Sequence, residues 1–325
     1  MSSLYPLKFR PIFKEKIWGG KKLHSILNKH TDPQANIGES WEISAVEGNI
    51  SVVANGFLEG NDLQELAEIY MGDLVGDKVF DFFGDEFPLL IKLIDASDKL
   101  SIQVHPNDEV AAKRHNSYGK TEMWYVLQAD PGAKLVSGFN KQTDKTEYLA
   151  HLENGTVETL MNAVEVEPND VFFVNPGRVH AIGKGIVLAE IQQTSDITYR
   201  IFDYNRLENG QARELHTELA VDVLDYTYNK DVKTNVRPKP NETLELASCP
   251  YFTTSIIAAH NPIEKDYNEI DSFVIYMVIE GSIQIVTQEQ TTQVAKGETV
   301  LIPAEIKNLQ IIPITEAKII EVYIK

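Results

Sequence analysis

The feature that most limits what this chain can fold into is its punctuation. Short runs such as PLLIKLIDA, LSIQVHP, EMWYVLQA, AKLVSGF, DVFFVNPG, GIVLAEIQQ and ITYRIFDY follow one another, interrupted by Gly, Pro, Asn or Asp. A turn signal every ~8–12 residues leaves room for strands and little for helices, which predicts an all-β sandwich or barrel. LSIQVHP shows the pattern. Leu100, Ile102 and Val104 alternate with Ser101, Gln103 and His105, a period of two that separates an apolar face from a polar one. Pro106 ends the ladder and Asn107-Asp108 turns the chain. An ordinary solvated face carries Lys, Thr or Glu. This one carries a hydroxyl, an amide and an imidazole, so it reads as a working face.

Helical stretches are few. NDLQELAEIYMG has an Asn/Asp start and Gly72 as a stop. NDEVAAKRH predicts a short helix, DKTEYLAHLENGTVETLMNAV a helical pair broken at Asn154-Gly155, and ELHTELAVDVLDY another helix. The polar, proline-bearing stretch near residues 229–243 reads as a linker, which divides the chain into residues 1–235 and 236–325.

The second part repeats the scaffold of the first. PNDVFFVNPGRVHAI and AKGETVLIPAEIKNL each run from a turn residue (Asp170, Gly297) through a strand to a proline (Pro176, Pro303). Four residues past the proline the first copy has His180 and the second has Lys307, and no histidine occurs after His260. The second copy is therefore expected to lack a metal site.

Charge narrows the partners. The formal net charge is −18, which disfavours nucleic acid and anionic membrane surfaces. A small anionic substrate needs only a few converging cations. No apolar run approaches the ~20 residues of a membrane span. The N-terminus carries no cleavage signal, and the single cysteine, Cys249, fits a reducing compartment. A cytoplasmic monomer or weak homo-oligomer is the expectation.

The candidate chemistry sits in the first copy. Gln103 and His105 share a strand face, Glu122 opens the strand EMWYVLQA, and His180 follows the Pro176-Gly177 turn. His-x16-Glu with a later Pro-Gly-x2-His resembles the metal pattern of cupins. Two imidazoles and a carboxylate suit a borderline ion such as zinc, and Gln103 adds a neutral oxygen. A lone histidine is usually packed or solvated, and His24, His30, His115, His151, His216 and His260 are read that way. Trp18 and Trp41 are expected to pack or line the cleft, with core packing the better expectation.

These residues resemble a known family. PLLIKLIDASDKLSIQVHPND, GKTEMWYVL, NPGRVHAIGKG and AEIQQTSDITYRIFDYNR, with WGG and IGESWEIS near the N-terminus, are similar to the type I mannose-6-phosphate isomerases in their short bacterial form. The resemblance implies a mainly β fold of two cupin-like jelly-roll barrels with a few connecting helices. It implies one Zn²⁺ per chain at Gln103, His105, Glu122 and His180, and a hexose 6-phosphate as substrate. It also implies that Arg200, Glu190 and Lys120 act in catalysis, and that Ser101, Lys92, Lys120 and Arg200 bind the substrate. Longer relatives read arginine-x5-lysine after the Ser-Asp pair, where this chain has Arg200-x5-Arg206, and an arginine does not serve as an amine base. Two rival readings are a metal cupin of another class, such as an oxygenase, and a non-catalytic sugar-binding cupin.

Overall fold

The computed structural model describes residues 4–325. The chain is mainly β, and three antiparallel sheets carry it. The first barrel is built from a seven-stranded and a five-stranded sheet. The seven-stranded sheet runs in the order 234–235, 170–174, 122–129, 186–193, 89–96, 12–20, 37–43. The five-stranded sheet runs 161–165, 134–139, 180–181, 102–104, 199–202. The second barrel is an eight-stranded sheet dominated by the long strands Val274–Val286 and Asn308–Tyr323.

Alternation within the strands sorts their side chains into layers. Ile94, Trp124, Phe172 and Leu188 of the larger sheet pack with Leu135 and Ile182 to form the apolar interior of the first barrel. Leu89, Ile91, Met123 and Tyr125, on the other face, join Ile256, Ile275, Ile320 and Val322 of the second barrel in one shared core. Both faces of Leu89–Ala96 and Ile186–Gln193 are thus covered, and every residue in those strands is buried. Lys92 and Glu190, in register with each other, are buried as a consequence of this sandwiching. Ile102 and Val104 pack outward under the helix Lys145–Glu153 and its neighbours. That turns Ser101 and Gln103 inward.

Several elements differ from the sequence expectation. The helix Leu63–Val75 starts where expected, with Asp62 and Glu65 forming a capping box. It breaks at Met71 (φ 46°), one residue before Gly72, and resumes to Val75. Of the expected helical pair, Lys145–Glu153 is a helix and Val157–Leu160 a single 3₁₀ turn, but Met161–Glu165 is a strand beside Lys134–Phe139. An edge position on the five-stranded sheet overrides helical propensity there. ELHTELAVDVLDY is helical only over Thr217–Val221. The polar stretch near 229–243 contains a short strand, Thr234–Asn235, that pairs with Asp170 and Val171. The first strand, Leu7–Lys8, belongs to the eight-stranded sheet and pairs with Leu301 and Val300. Lys8 reinforces this with an ion pair to Glu298 at 2.8 Å.

Candidate metal centre and its cavity

The strand Ile102–Val104 lies between two others, with Gln103 opposite His180 on one side and Arg200 on the other. Cross-strand partners share a face, so His180, Gln103 and Arg200 form a row pointing into the first barrel. Glu122, at the start of its strand on the facing sheet, comes down onto the row. His105 follows the strand, and its carbonyl accepts the Gly177 N–H at 2.9 Å, which fixes the Pro176-Gly177 turn beneath it. Gly177 has φ +85°, and a Cβ there would lie 2.7 Å from the Val223 carbonyl oxygen, so only glycine fits the turn that delivers His180.

The side chains converge. The ligand atoms of His105, Glu122 and His180 all lie within 4.8 Å of one another. His105 Nε2 is 3.3 Å from Glu122 Oε1, and His180 Nε2 is 3.6 Å from Glu122 Oε2. Each imidazole is oriented from behind: Nδ1–H of His105 donates to the Ile197 carbonyl at 2.8 Å, and that of His180 to the Arg178 carbonyl at 2.8 Å. With Nδ1 protonated, both Nε2 atoms are bare acceptors, and they face each other at 3.1 Å. Glu122 Oε2 is buried with no hydrogen-bond partner. Buried acceptors that outnumber their donors, with only Lys120 on Glu122 Oε1, are costly unless a cation lies among them. The donor set therefore fits a divalent metal. The Gln103 amide is 3.4 Å from His180 Nε2, and turned about its axis it offers Oε1 to the same point.

Electrostatics point the same way. Burial, with Lys120 beside it, pushes the His105 pKa down to about 3, and burial also lowers that of His180. Both imidazoles stay neutral, as metal ligation requires. Burial alone would raise the Glu122 pKa, but Lys120, 3.2 Å away, and then His105 outweigh it and hold the carboxyl well below its usual range.

A polar cavity of about 450 Å³ opens above this cluster and reaches it at Gln103 and Lys120. It falls within the usual size range of small-molecule sites. Lys92, Ser101, Glu190 and Arg200 also line it, so these six sequence-selected residues surround one space. His105, Glu122 and His180 lie behind them, almost wholly buried. Glu190 is doubly held: Oε1 accepts from Lys92 at 2.9 Å and Oε2 from the Trp124 indole at 2.7 Å. Lys92 also donates to Gln192 at 2.6 Å, and its pKa is raised because Glu190 and Glu39 outweigh burial. It is a fixed cation.

Trp18 and Trp41 are buried, as expected, and also line the cavity. Further lining residues are not singled out by the sequence. The Trp41 ring lies under Lys14 and Lys92, at 4.7 and 5.4 Å, and its indole donates to Glu39 at 2.8 Å. Glu39 is a second cavity carboxylate, held low because Lys92 and Lys16 outweigh its burial. It stands in the quoted IGESWEIS, where strand alternation alone would have turned it toward the Trp41 face. His216 keeps a structural role, since its Nδ1 accepts the Arg200 backbone N–H at 3.1 Å. Arg206 is absent from the lining and Arg213 is present. No helix among the described residues is long and apolar enough to cross a membrane.

Fold and site together define a cupin with a buried His-Glu-His cluster that could hold a metal beneath a cationic cavity. Two family models match the chain: phosphomannose isomerase type I, catalytic domain, over residues 6–130, and mannose-6-phosphate isomerase, cupin domain, over residues 242–324. The mannose-6-phosphate isomerase ManA of Bacillus subtilis is 37% identical over 92% of this chain and 93% of its own. The mannose-6-phosphate isomerase of Streptococcus mutans is 34% identical over 94% of each. A crystal structure of the mannose 6-phosphate isomerase from Bacillus subtilis superposes with a TM-score of 0.87 at 32% identity, covering 99% of this chain and 100% of that one. The chain belongs to the type I phosphomannose isomerase family.

Proposed function

We propose that the protein interconverts mannose 6-phosphate and fructose 6-phosphate, with one zinc ion per chain on Gln103, His105, Glu122 and His180. The observation that carries this reading is the pair of bare Nε2 acceptors, 3.1 Å apart, beneath a cavity lined by cations. Aldose–ketose isomerisation moves a proton between C1 and C2 through a cis-enediolate. When bound, the zinc supplies Lewis acidity toward the sugar oxygens. Arg200, next to Gln103 in the row, stabilises the oxyanion that develops on the sugar. Glu190 is the carboxylate placed to move the proton at C2, oriented for it by Lys92 and Trp124. Lys120 and Lys92 orient the reacting end, and Ser101 donates to the phosphate. A cytoplasmic setting suits both the single cysteine and a phosphorylated sugar.

The rival readings are less well supported. Gln103 and the cavity cations suit an anionic sugar better than an oxygenase reaction. A non-catalytic sugar-binding cupin has no need to retain all four ligands. The test is a coupled assay of both sugar phosphates with and without a chelator. Turnover in both directions, lost on chelation and restored by zinc, is the expected result. Turnover indifferent to chelation would overturn the metal role, and no turnover of either sugar would overturn the reaction.

A further inference from the structure

Arg213 lies in the least regular part of the first barrel, just past the small hairpin of Leu207–Glu208 and Gln211–Ala212. The chain there is nevertheless tied to Arg200 at three points. The His216 N–H donates to the Arg200 carbonyl at 2.7 Å, the Arg200 N–H to His216 Nδ1 at 3.1 Å, and Arg200 Nη1 to the Glu214 carbonyl at 2.8 Å. Two guanidinium groups are thereby brought to the wall of one cavity. Arg200 has a buried Nε with no partner, and its pKa is lowered first by burial and then by the charge of Arg213. Like charges held side by side call for an anion in the space they share.

The Arg213 fork is fixed on its far side. Nε and Nη2 grip the buried Asp203 at 2.8 and 2.6 Å, while Nη1 has no hydrogen-bond partner among the described residues. Asp203 is shared with Arg206, whose Nη1 donates to the Lys99 carbonyl at 2.5 Å. Arg206 thus fastens this corner to the chain two residues before Ser101. Ser101 lies two residues along the strand from Gln103, about 6–7 Å from it by strand rise. The cavity therefore has a reacting end at Gln103, while Ser101 and Arg213 both stand in its lining, linked through Asp203, Arg206 and the Lys99 carbonyl.

We propose that Arg213 binds the phosphate of the sugar phosphate, and that Asp203 is its positioning residue. This rests on the isomerase reading above. It gives the two arginines of this wall different tasks. Arg213 meets the permanent dianion, and Arg200, nearer the reacting end, is left for the charge that develops during the reaction. Arg206 serves as a brace for Asp203 and makes no substrate contact.

The test compares the parent with Arg213→Gln, Arg213→Lys, Asp203→Asn and Arg206→Gln, each first shown to hold metal and to unfold cooperatively. Two readouts are used: steady-state kinetics with mannose 6-phosphate, and calorimetric titration with inorganic phosphate, which requires no turnover. Arg213→Gln should raise KM about tenfold or more with kcat within about threefold of the parent, and weaken phosphate binding by a similar factor. Arg213→Lys should recover part of both losses, Asp203→Asn should show a smaller loss in both, and Arg206→Gln, which loosens Asp203 only indirectly, a smaller loss still. An Arg213→Gln variant with parental KM and phosphate affinity would overturn the proposal. So would a fall in kcat alone, which would make Arg213 a support for Arg200, or a parent that binds no phosphate. A parent that binds phosphate through Arg213 but turns over neither sugar would keep this inference and sink the isomerase reading.

Discussion

The two barrels share a scaffold and treat buried polarity in opposite ways. The second barrel also has ionisable groups inside, but Glu321, Tyr267, Tyr276 and Lys265 satisfy one another. Glu321 accepts from Tyr267 at 2.5 Å and from Lys265 at 2.7 Å, and Tyr267 is hydrogen-bonded to Tyr276. Burial, reinforced by Glu321, drives both tyrosines well above their usual pKa, so they remain neutral donors. Lys307, the counterpart of His180, donates to the Ile270 carbonyl at 2.8 Å and ties down a loop. In the first barrel the acceptors outnumber the donors around His105, Glu122 and His180. A closed polar network holds a fold together, whereas an acceptor cluster left open is a place for a cation.

The sharpest way to break this contrast is to count ions. Elemental analysis should find one divalent ion per chain in the parent, none in the double variant His105→Ala with His180→Ala, and no turnover in the latter. Glu321→Gln should keep its ion and lose only thermal stability, since it disturbs a network that holds no metal. Two ions per chain, or metal retained without the imidazoles, would erase the distinction between the barrels.

Next in size is Arg200→Lys. A contact made mainly in the transition state is worth about 10²–10³ in rate, so kcat should fall by that order with KM changed far less. A raised KM with unchanged kcat would move Arg200 to the phosphate end.

Acid should act on the first barrel. His105 titrates near 3 when folded against 6.5 when exposed. Between those values the unfolded chain takes up a proton that the folded chain refuses, so stability is lost as pH falls through that window and is unaffected above it. Denaturant midpoints of metal-free protein should drop between pH 7 and 4.5, and the drop should shrink in His105→Gln. An identical pH slope in that variant would assign the effect elsewhere.

The smallest effect belongs to Ser101→Ala. It should keep metal and fold, and weaken phosphorylated substrate by about 0.5–1.5 kcal/mol, rising to about 3 if the bond is to a charged oxygen. Unphosphorylated mannose should be almost unaffected. Equal losses for both sugars would make the serine a packing residue.

Features set by near neighbours were legible in the amino-acid order. Alternation in LSIQVHP placed Gln103 and Ser101 on one face. Asp62, Asn107 and Asp144 cap the helices that follow them. The Pro176-Gly177 turn announces His180. These follow from side-chain period and backbone stereochemistry, which act over a few residues. Tertiary structure decided what depends on partners far along the chain. Leu7–Lys8 joins the distant sheet because Leu301 and Val300 offer it hydrogen bonds. Met161–Glu165 becomes a strand because an edge was open beside Lys134–Phe139. Trp41 reaches the cavity because its strand lies at the margin of the larger sheet. Arg213, not Arg206, faces the cavity because both compete for Asp203 and only one is also drawn away to the Lys99 carbonyl. Even the candidate metal centre depends on this level, since the Ile197 and Arg178 carbonyls set the tautomers that leave two Nε2 atoms bare. Local order selects which atoms can be ligands, and only packing removes the water and the donors that would otherwise satisfy them.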